Sequence, residues 1–499
     1  DHVKVFDIDL TDQHGNVVAL LRRLTLVFPE DRERDRTVYA VPQWQKRVFP
    51  GELSSSRGTD PVFLASDSQS ELLNSLSEEF PRARIELLSP LHADSPSAIR
   101  ANFLHVFDLI RMMVRNGVES IRPIVLLVPE APESAFYAAL SGLLKTAHLE
   151  HPSLAIKIIH FSSHDSRWLP KFLGRLKIEM TSLQGDLEIR YTQRGEREVV
   201  QLGEIALPKH SERPISGLGK GDVVWVIGGL GGLGMIFARH LGRSGKGIKL
   251  VLSGRSPLQG GNRELFRELE AECSDIIYLQ GDVSNLSDVE RILASILDRY
   301  GKLNGIIHSA GVIEDAYILK KTEAEIDRVL RPKIDGLFAL HQVTASVPLD
   351  FMVFCSSIAG VIGNPGQADY SGANAFMDAF AQYRNQKVKA GECFGRTLSL
   401  DWPLWAEGGM KLDPRTEVLV ARATGMTALN SSDGMDAFHR VMESAFEQIF
   451  IVHGDPYRIQ TRVLDFAYAP TLESVKREEK DSRKGTREGE GGALSELVA

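Results

Sequence analysis

The sequence predicts an α/β protein built from two successive doubly wound subdomains, and three observations carry that expectation. Short apolar runs alternate with helical patterns along most of the chain. The alternation breaks and then restarts near residue 216, and 499 residues are too many for one ordinary core. Only the second series has a glycine-rich turn directly after a strand.

Residues 1–36 form the first piece. Val3 to Phe28 alternates apolar and polar residues around Asp12-Gln13-His14-Gly15, which reads as a hairpin. A lone hairpin is marginally stable, so it is expected to belong to a neighbouring upstream domain, with the charge-dense Glu30 to Arg36 as linker. Residues 37–215 form the first subdomain. Its signals are a strand at Pro61 to Ala65, a helix at Ser70 to Glu79, a strand at Ile124 to Val128, a helix at Ala135 to Glu150 and a strand at Ala155 to Phe161. No glycine-rich turn follows these strands, so a phosphate has no obvious seat there. Residues 216–460 form the second subdomain, and 461–499 a flexible tether. Beyond Ser474 the tether is too rich in charge and glycine to bury an apolar face.

Composition narrows the class further. Hydrophobic content of 43% and charged content of 25% are those of a soluble globular protein, and a net charge of -8 gives no sign of a general nucleic-acid surface. Cys273, Cys355 and Cys393 are too widely spaced for a disulfide framework or a zinc site and read as small buried hydrophobes in a reducing compartment. No apolar run approaches the roughly 20 residues that cross a bilayer. Asp1, Asp7 and Asp9 are unlike a signal peptide, and the chain is expected in the cytoplasm.

The second subdomain opens with the buried strand Val223 to Ile227, followed at once by Gly228-Gly229-Leu230-Gly231-Gly232-Leu233-Gly234 and a helix. Gly229, Gly231 and Gly234 have the G-x-G-x-x-G spacing of a Rossmann-like dinucleotide site: a sharp turn, close approach to a pyrophosphate, and tight packing of the helix on the strand. The next strand, Lys249 to Ser253, ends in Gly254 and Arg255, and a cation there accommodates a 2′-phosphate, which argues for NADPH. Ile276 to Gln280 leads to Asp282 and Val283, with Asp282 placed to accept from an adenine amino group. Gly305 to His308 leads to Ser309, Ala310 and Gly311, small enough for a nucleotide to lie close.

After a strand at Asp350 to Cys355 come Ser356-Ser357, and thirteen residues beyond Ser357 stands Tyr370 in Ala368-Asp369-Tyr370-Ser371-Gly372-Ala373-Asn374. With the glycine turn, His308 to Gly311, Pro332-Lys333-Ile334-Asp335-Gly336 and Leu400 to Trp405, this spacing resembles the short-chain dehydrogenase/reductase superfamily, and within it the ketoreductase domains of modular polyketide synthases. Asn374 stands where most of the superfamily carries lysine. Polyketide ketoreductases show the same exchange, with their lysine upstream, where this chain has Lys333.

The resemblance implies reduction of a β-ketoacyl thioester, carried on the phosphopantetheine arm of an acyl carrier protein, to the β-hydroxy thioester. A phenol with a solution pKa near 10 is a poor acid at neutral pH, and a neighbouring ammonium favours its anion. Tyr370 is then the proton donor, Lys333 the ammonium, Ser357 a donor to the developing alkoxide, and Asn374 the holder of the lysine or of a relay water. Residues 37–215, with Gly142-Leu143-Leu144-Lys145-Thr146, look like the cofactor-free structural half of such enzymes. Residues 6–12 resemble the last strands of a dehydratase, and the tail a linker towards a carrier domain. Details resemble synthases whose acyltransferase acts in trans.

The same resemblance bears on stereochemistry. Ile313-Glu314-Asp315 stands where the class giving the D-hydroxyl has a Leu-Asp-Asp-like motif, and Asp315 is the retained member. The opposite class has tryptophan where this chain has Ile362, and Pro365 also fits the D class. Trp405 and Met410 lie before the expected substrate lid and complete the substrate-orienting set. Two other readings stay open: a catalytically silent domain within a synthase, and a free-standing alcohol dehydrogenase.

Overall fold

The computed structural model describes residues 3–11, 17–27, 35–49, 60–91, 95–117, 123–162, 168–181, 185–208, 218–244 and 247–465, the first two stretches as backbone only. Strands β1 (Val3–Thr11) and β2 (Val17–Val27) pair antiparallel as a separate hairpin. The turn expected at residues 12–15, most of the charged linker and the tail from residue 466 lie outside the described residues.

Fourteen further strands form a single sheet among the described residues. They are β3 (Arg36–Lys46), β4 (Val62–Ser66), β5 (Arg84–Leu88), β6 (Ile124–Pro129), β7 (Ile156–Phe161), β8 (Glu188–Tyr191), β9 (Arg197–Ile205), β10 (Val223–Ile227), β11 (Lys249–Gly254), β12 (Asp275–Gln280), β13 (Gly305–His308), β14 (Phe351–Ser357), β15 (Arg396–Trp402) and β16 (Gln448–Gly454). The spatial order is β12-β11-β10-β13-β14-β15-β16-β3-β9-β8-β7-β6-β4-β5.

Each expected half is present, and both share this sheet. The second half runs parallel in the 3-2-1-4-5-6 order of a dinucleotide-binding fold plus one strand. The first half runs parallel from β5 to β8. Between them β3 pairs antiparallel with β16 on one side and with β9 on the other. The sequence cues placed β3 in the first subdomain without showing that it joins both.

The helices are α1 (Ser70–Glu79), α2 (Pro96–Arg115), α3 (Ala138–Glu150), α4 (Trp168–Thr181), α5 (Gly232–Arg243), α6 (Gly261–Glu272), α7 (Leu286–Tyr300), α8 (Glu323–Lys333), α9 (Asp335–Thr344), α10 (Ile358–Ile362), α11 (Ala368–Lys389), α12 (Pro414–Thr424), α13 (Ser431–Met442) and α14 (Pro456–Ile459). Helix α3 starts later than the expected Ala135, because Pro132–Tyr137 is wound as a tighter 3-10 turn braced by Ser134 Oγ accepting from Ala131 N at 3.0 Å. The chain also remains folded beyond residue 460: Val463 and Leu464 are buried in a cluster with Val38, Ala40 and Val452.

The fully apolar strands, β6 and β10 among them, are buried on both faces, as parallel strands between helix layers must be. One core cluster crosses from half to half. Phe103, Phe107 and Phe136 of the first pack with Phe338, Phe376 and Phe380 of the second, and Phe136 meets Phe338 edge-on at 5.4 Å. At the centre of this contact α3 lies against α11, with Gly142 facing the backbone of Ser371 and Gly372. No described helix is long and apolar enough to cross a membrane. Cys273, Cys355 and Cys393 are buried free thiols.

Candidate active site

The glycine turn sits at the carboxyl end of β10, where strand order reverses between β10 and β13, the switch point at which doubly wound sheets bind ligands. Gly228 has φ 77°, and a Cβ there would stand 2.8 Å from Ala310 Cα. Its amide and that of Gly229 donate to Ser253 O at 2.8 and 3.2 Å, which folds the turn back onto β11. Helix α5 follows with Gly231 as N-cap and no side chain capping its first amides, the geometry that receives a phosphate. A Cβ at Gly234 would overlap Gly228 O, and one at Gly232 would overlap Gly408 O, so the segment after β15 closes over the same helix end. Leu230 and Leu233 pack on the neighbouring core.

Other expected cofactor residues line the same strand ends. Arg255 is exposed just past β11, and its guanidinium has no ion-pair partner among the described residues. Gly254 packs beneath Tyr278, whose hydroxyl donates to Gly254 O at 3.1 Å. Ser253 is otherwise engaged, since its hydroxyl accepts from Trp225 Nε1 at 2.8 Å, so it braces the turn through its carbonyl. Asp282 uses one carboxylate oxygen on Ser284 N and Oγ at 2.9 and 2.6 Å. Val283 is buried, Ser309 Oγ donates to Ile227 O at 2.8 Å, and Gly311 lies over the tail of Lys333. This cleft fits a dinucleotide: an uncapped helix end, small residues at each strand end and a free cation at the second.

Four candidate catalytic residues converge on one point from three elements. Ser357 ends β14, Lys333 ends α8, and Tyr370 and Asn374 lie one turn apart near the start of α11. Lys333 is only 3% exposed. Its ammonium donates to Asn374 Oδ1 at 2.8 Å and Cys355 O at 3.1 Å, touches Met377 Sδ at 3.1 Å, and stands 5.6 Å from the centre of the Tyr370 ring. Asn374 Nδ2 donates to Tyr370 O at 2.7 Å. Burial pushes the Tyr370 phenol above its ordinary value, and hydrogen bonds with Ser357 and Asn374 oppose that push. The expected lowering by Lys333 is not among the main influences on the phenol, because the ammonium is turned to Asn374 and Cys355 O. Lys333 itself is lowered to about 8 by burial.

The substrate-orienting candidates separate. Asp315 is held beside the site, its Oδ1 accepting from Gln367 Nε2 at 2.9 Å. Ile362 is half-buried at the end of α10, and Pro365 and Met410 are exposed. Trp405, expected in the substrate-orienting set, is turned into the core: it is 2% exposed, meets Trp402 edge-on at 4.9 Å and fills the space left by Gly434. A large apolar ring followed by a glycine-rich turn is drawn into the core, and it supports the segment from beneath.

The sequence cues missed a buried brace under Tyr370. Lys321 Nζ donates to Asp369 Oδ1 and to Glu314 O, both at 2.5 Å, with side chains 0% and 1% exposed. Asp369 also accepts from Tyr370 N at 2.9 Å, and Glu150 of α3 accepts from Ile318 N and Gly366 N at 2.8 and 2.9 Å. An acid directly before the candidate catalytic tyrosine was the available signal, since a buried carboxylate requires a partner.

Comparison with known proteins agrees with this geometry. Residues 222–407 match the KR domain family. The chain is 30% identical over 472 residues to polyketide synthase PksN and 32% over 469 residues to polyketide synthase PksL, both of Bacillus subtilis (strain 168). Those alignments cover 93% and 92% of this chain but only 8% and 10% of the relatives. A crystal structure of a ketoreductase domain from the bacillaene assembly line superposes with a TM-score of 0.79 at 31% identity, covering 86% of this chain and all of that one. A ketoreductase from the macrolactin assembly line, at 24% identity and a TM-score of 0.68, shares the fold. The chain therefore belongs to the ketoreductase domains of modular polyketide synthases, oxidoreductases of the short-chain dehydrogenase/reductase type.

Proposed function

We propose that this domain reduces a β-ketoacyl thioester, presented on an acyl carrier protein, to the D-β-hydroxyacyl thioester with NADPH. The observation that carries the proposal is the meeting of Tyr370, Ser357, Lys333 and Asn374 beside a glycine turn at the switch point of a parallel sheet. Bound in the cleft, a reduced nicotinamide supplies hydride to the carbonyl carbon. Tyr370 gives its hydroxyl proton to the carbonyl oxygen and is left as phenolate. Ser357 donates to the same oxygen as charge develops on it. Lys333, 5.6 Å from the ring centre and outside the main influences on the resting phenol, adds its charge in support of the phenolate once the proton has left, and Asn374 fixes the ammonium. Arg255 supports NADPH over NADH, since it is a free cation where a 2′-phosphate would lie. Asp315, anchored to Gln367, and Ile362 in place of a tryptophan support the D product.

The test is to incubate the chain and NADPH with a carrier-bound β-ketoacyl thioester and determine product mass and configuration. Tyr370→Phe is expected to abolish reduction with NADPH binding retained, and Arg255→Ala to erode the preference for NADPH. A wild-type chain that binds NADPH without turnover refutes the proposal, and an L product refutes its stereochemical part.

A further inference from the structure

Lys333 has an unusual set of contacts for a buried ammonium. An amide oxygen, a backbone carbonyl and a thioether surround it, and it makes no direct ion pair among the described residues. A charge removed from water without a counter-ion loses its proton instead. The ionisable groups around it are quickly named. Tyr370 on α11 and Cys355 on β14 are neutral at working pH, the thiol pushed up to about 12 by burial. His308 on β13 is lowered to about 4 by burial and by Lys333, so it is neutral too. Asp378, one turn beyond Asn374 on α11, is the remaining group, and its charge favours the protonated lysine.

Asp378 is itself buried and coupled to a second acid. The β14–β15 register sets Asp401 beside Ser356, whose hydroxyl donates to Asn374 O at 3.2 Å, and the Asp401 and Asp378 carboxyls raise and lower one another's titration. Ser399 Oγ donates to Asp378 Oδ1 at 2.6 Å, and Gln448 Nε2 donates to Asp401 Oδ2 at 2.9 Å. Asp401 Oδ1 receives no donor among the described residues. Two buried carboxylates in contact cannot both ionise, and a proton on Asp401 shared toward Asp378 satisfies the orphan oxygen. Burial raises both carboxyls, Asp401 further because Asp378 adds to the push, and the orphan Oδ1 marks Asp401 as the place for the shared proton. The other side of Asp378 lines a cavity of about 330 Å³ between the halves. Its charges close on one another, Lys145 and His160 on Glu188, with Arg190 on Glu198; Glu130 and Tyr383 also lie on its wall.

We propose that Asp378, left as the single anion of a pair whose proton Asp401 holds, is the counter-ion that keeps Lys333 protonated, and is thus a positioning residue for the reduction. This rests on the reading of Lys333 given above. A deprotonated lysine no longer stabilises the Tyr370 phenolate, so reduction falls as pH rises through the lysine pKa, giving an alkaline limb.

The experiment measures kcat against pH for the whole chain with NADPH and an N-acetylcysteamine β-ketoacyl thioester. Asp378→Asn leaves at most an anion on Asp401, which is not among the influences on the lysine, and its alkaline limb is expected about one pH unit lower than wild type. Asp401→Asn leaves one anion, on Asp378, so the limb stays within about 0.3 unit whatever the change in rate. Limbs that move equally in both variants, or in neither, overturn the proposal. Lys333→Met separates the two layers: a wild-type limb in that variant sinks the reading of the lysine itself, whereas a lost limb there with an unmoved one in Asp378→Asn sinks only the role of Asp378. Should Asp378→Asn fail to bind NADPH, Asp378→Glu decides, because it keeps the charge and must keep the limb.

Discussion

Replacing Gly142 by alanine tests whether the half that holds no cofactor sets the position of the catalytic tyrosine. A Cβ at Gly142 would stand 2.6 Å from the Ser371 carbonyl carbon and 2.7 Å from the Gly372 nitrogen, whereas ordinary contact begins at 3.4 Å. These atoms, and the Ser371 carbonyl oxygen that lies nearer still, are α11 backbone and cannot rotate away, so the helices must part by about 1 Å. Overpacking of this kind costs about 1 to 3 kcal/mol, and alanine recovers about 1 kcal/mol of helix propensity, so the net loss of stability is small. Tyr370 is adjacent to Ser371 and moves with it. A displacement approaching 1 Å at a reacting group lowers turnover by roughly 10- to 100-fold. The assay pairs kcat on the surrogate thioester with NADPH affinity and thermal midpoint. A folded variant with kcat within about twofold of wild type would refute the reasoning, as would a loss confined to NADPH affinity.

Two further outcomes follow from buried charge. Lys321→Met strands the Asp369 carboxylate and is expected to cost about 3 to 5 kcal/mol by denaturant titration, while adding Asp369→Asn recovers much of it; additive losses would mean the pair is not coupled. His341, wedged between Phe380 and Tyr383, is lowered to about 4 by burial and by Arg384 and Lys387. The unfolded chain binds this proton first as pH falls, so the stability is present above about 6.5 and lost toward 4, up to about 3 kcal/mol. His341→Phe is expected to flatten that part of the pH–stability curve, with His308 supplying the remaining slope; parallel curves would refute the assignment.

Much of the site was legible because its signals are local. The Val223–Ile227 strand, the glycines after it and the interval from Ser357 to Tyr370 each lie within a few turns of chain, where backbone geometry ties spacing to position. Lys333 needed the family resemblance, since it reaches the tyrosine from another helix. Other features depend on register between distant strands. Asp401 comes beside Ser356 only through the β14–β15 pairing, and β3 meets β16 across most of the chain. Trp405 misled for another reason: an aromatic next to an expected lid reads as a contact residue until Gly434 is found opposite it.

The place of β3 has a consequence for synthesis of the chain. Thr37 pairs with His453, and every strand of the second half is laid down between them. Once β9 has joined β3, the other edge of β3 stays unpaired until residue 454 leaves the ribosome, about 250 residues later. At roughly 5 to 20 residues per second that is tens of seconds with an apolar strand edge open to any passing partner. A nascent first half therefore needs a chaperone, or a neighbouring segment of the same polypeptide, to shield it. Fragments cut between the halves should aggregate through β3 rather than fold as independent units.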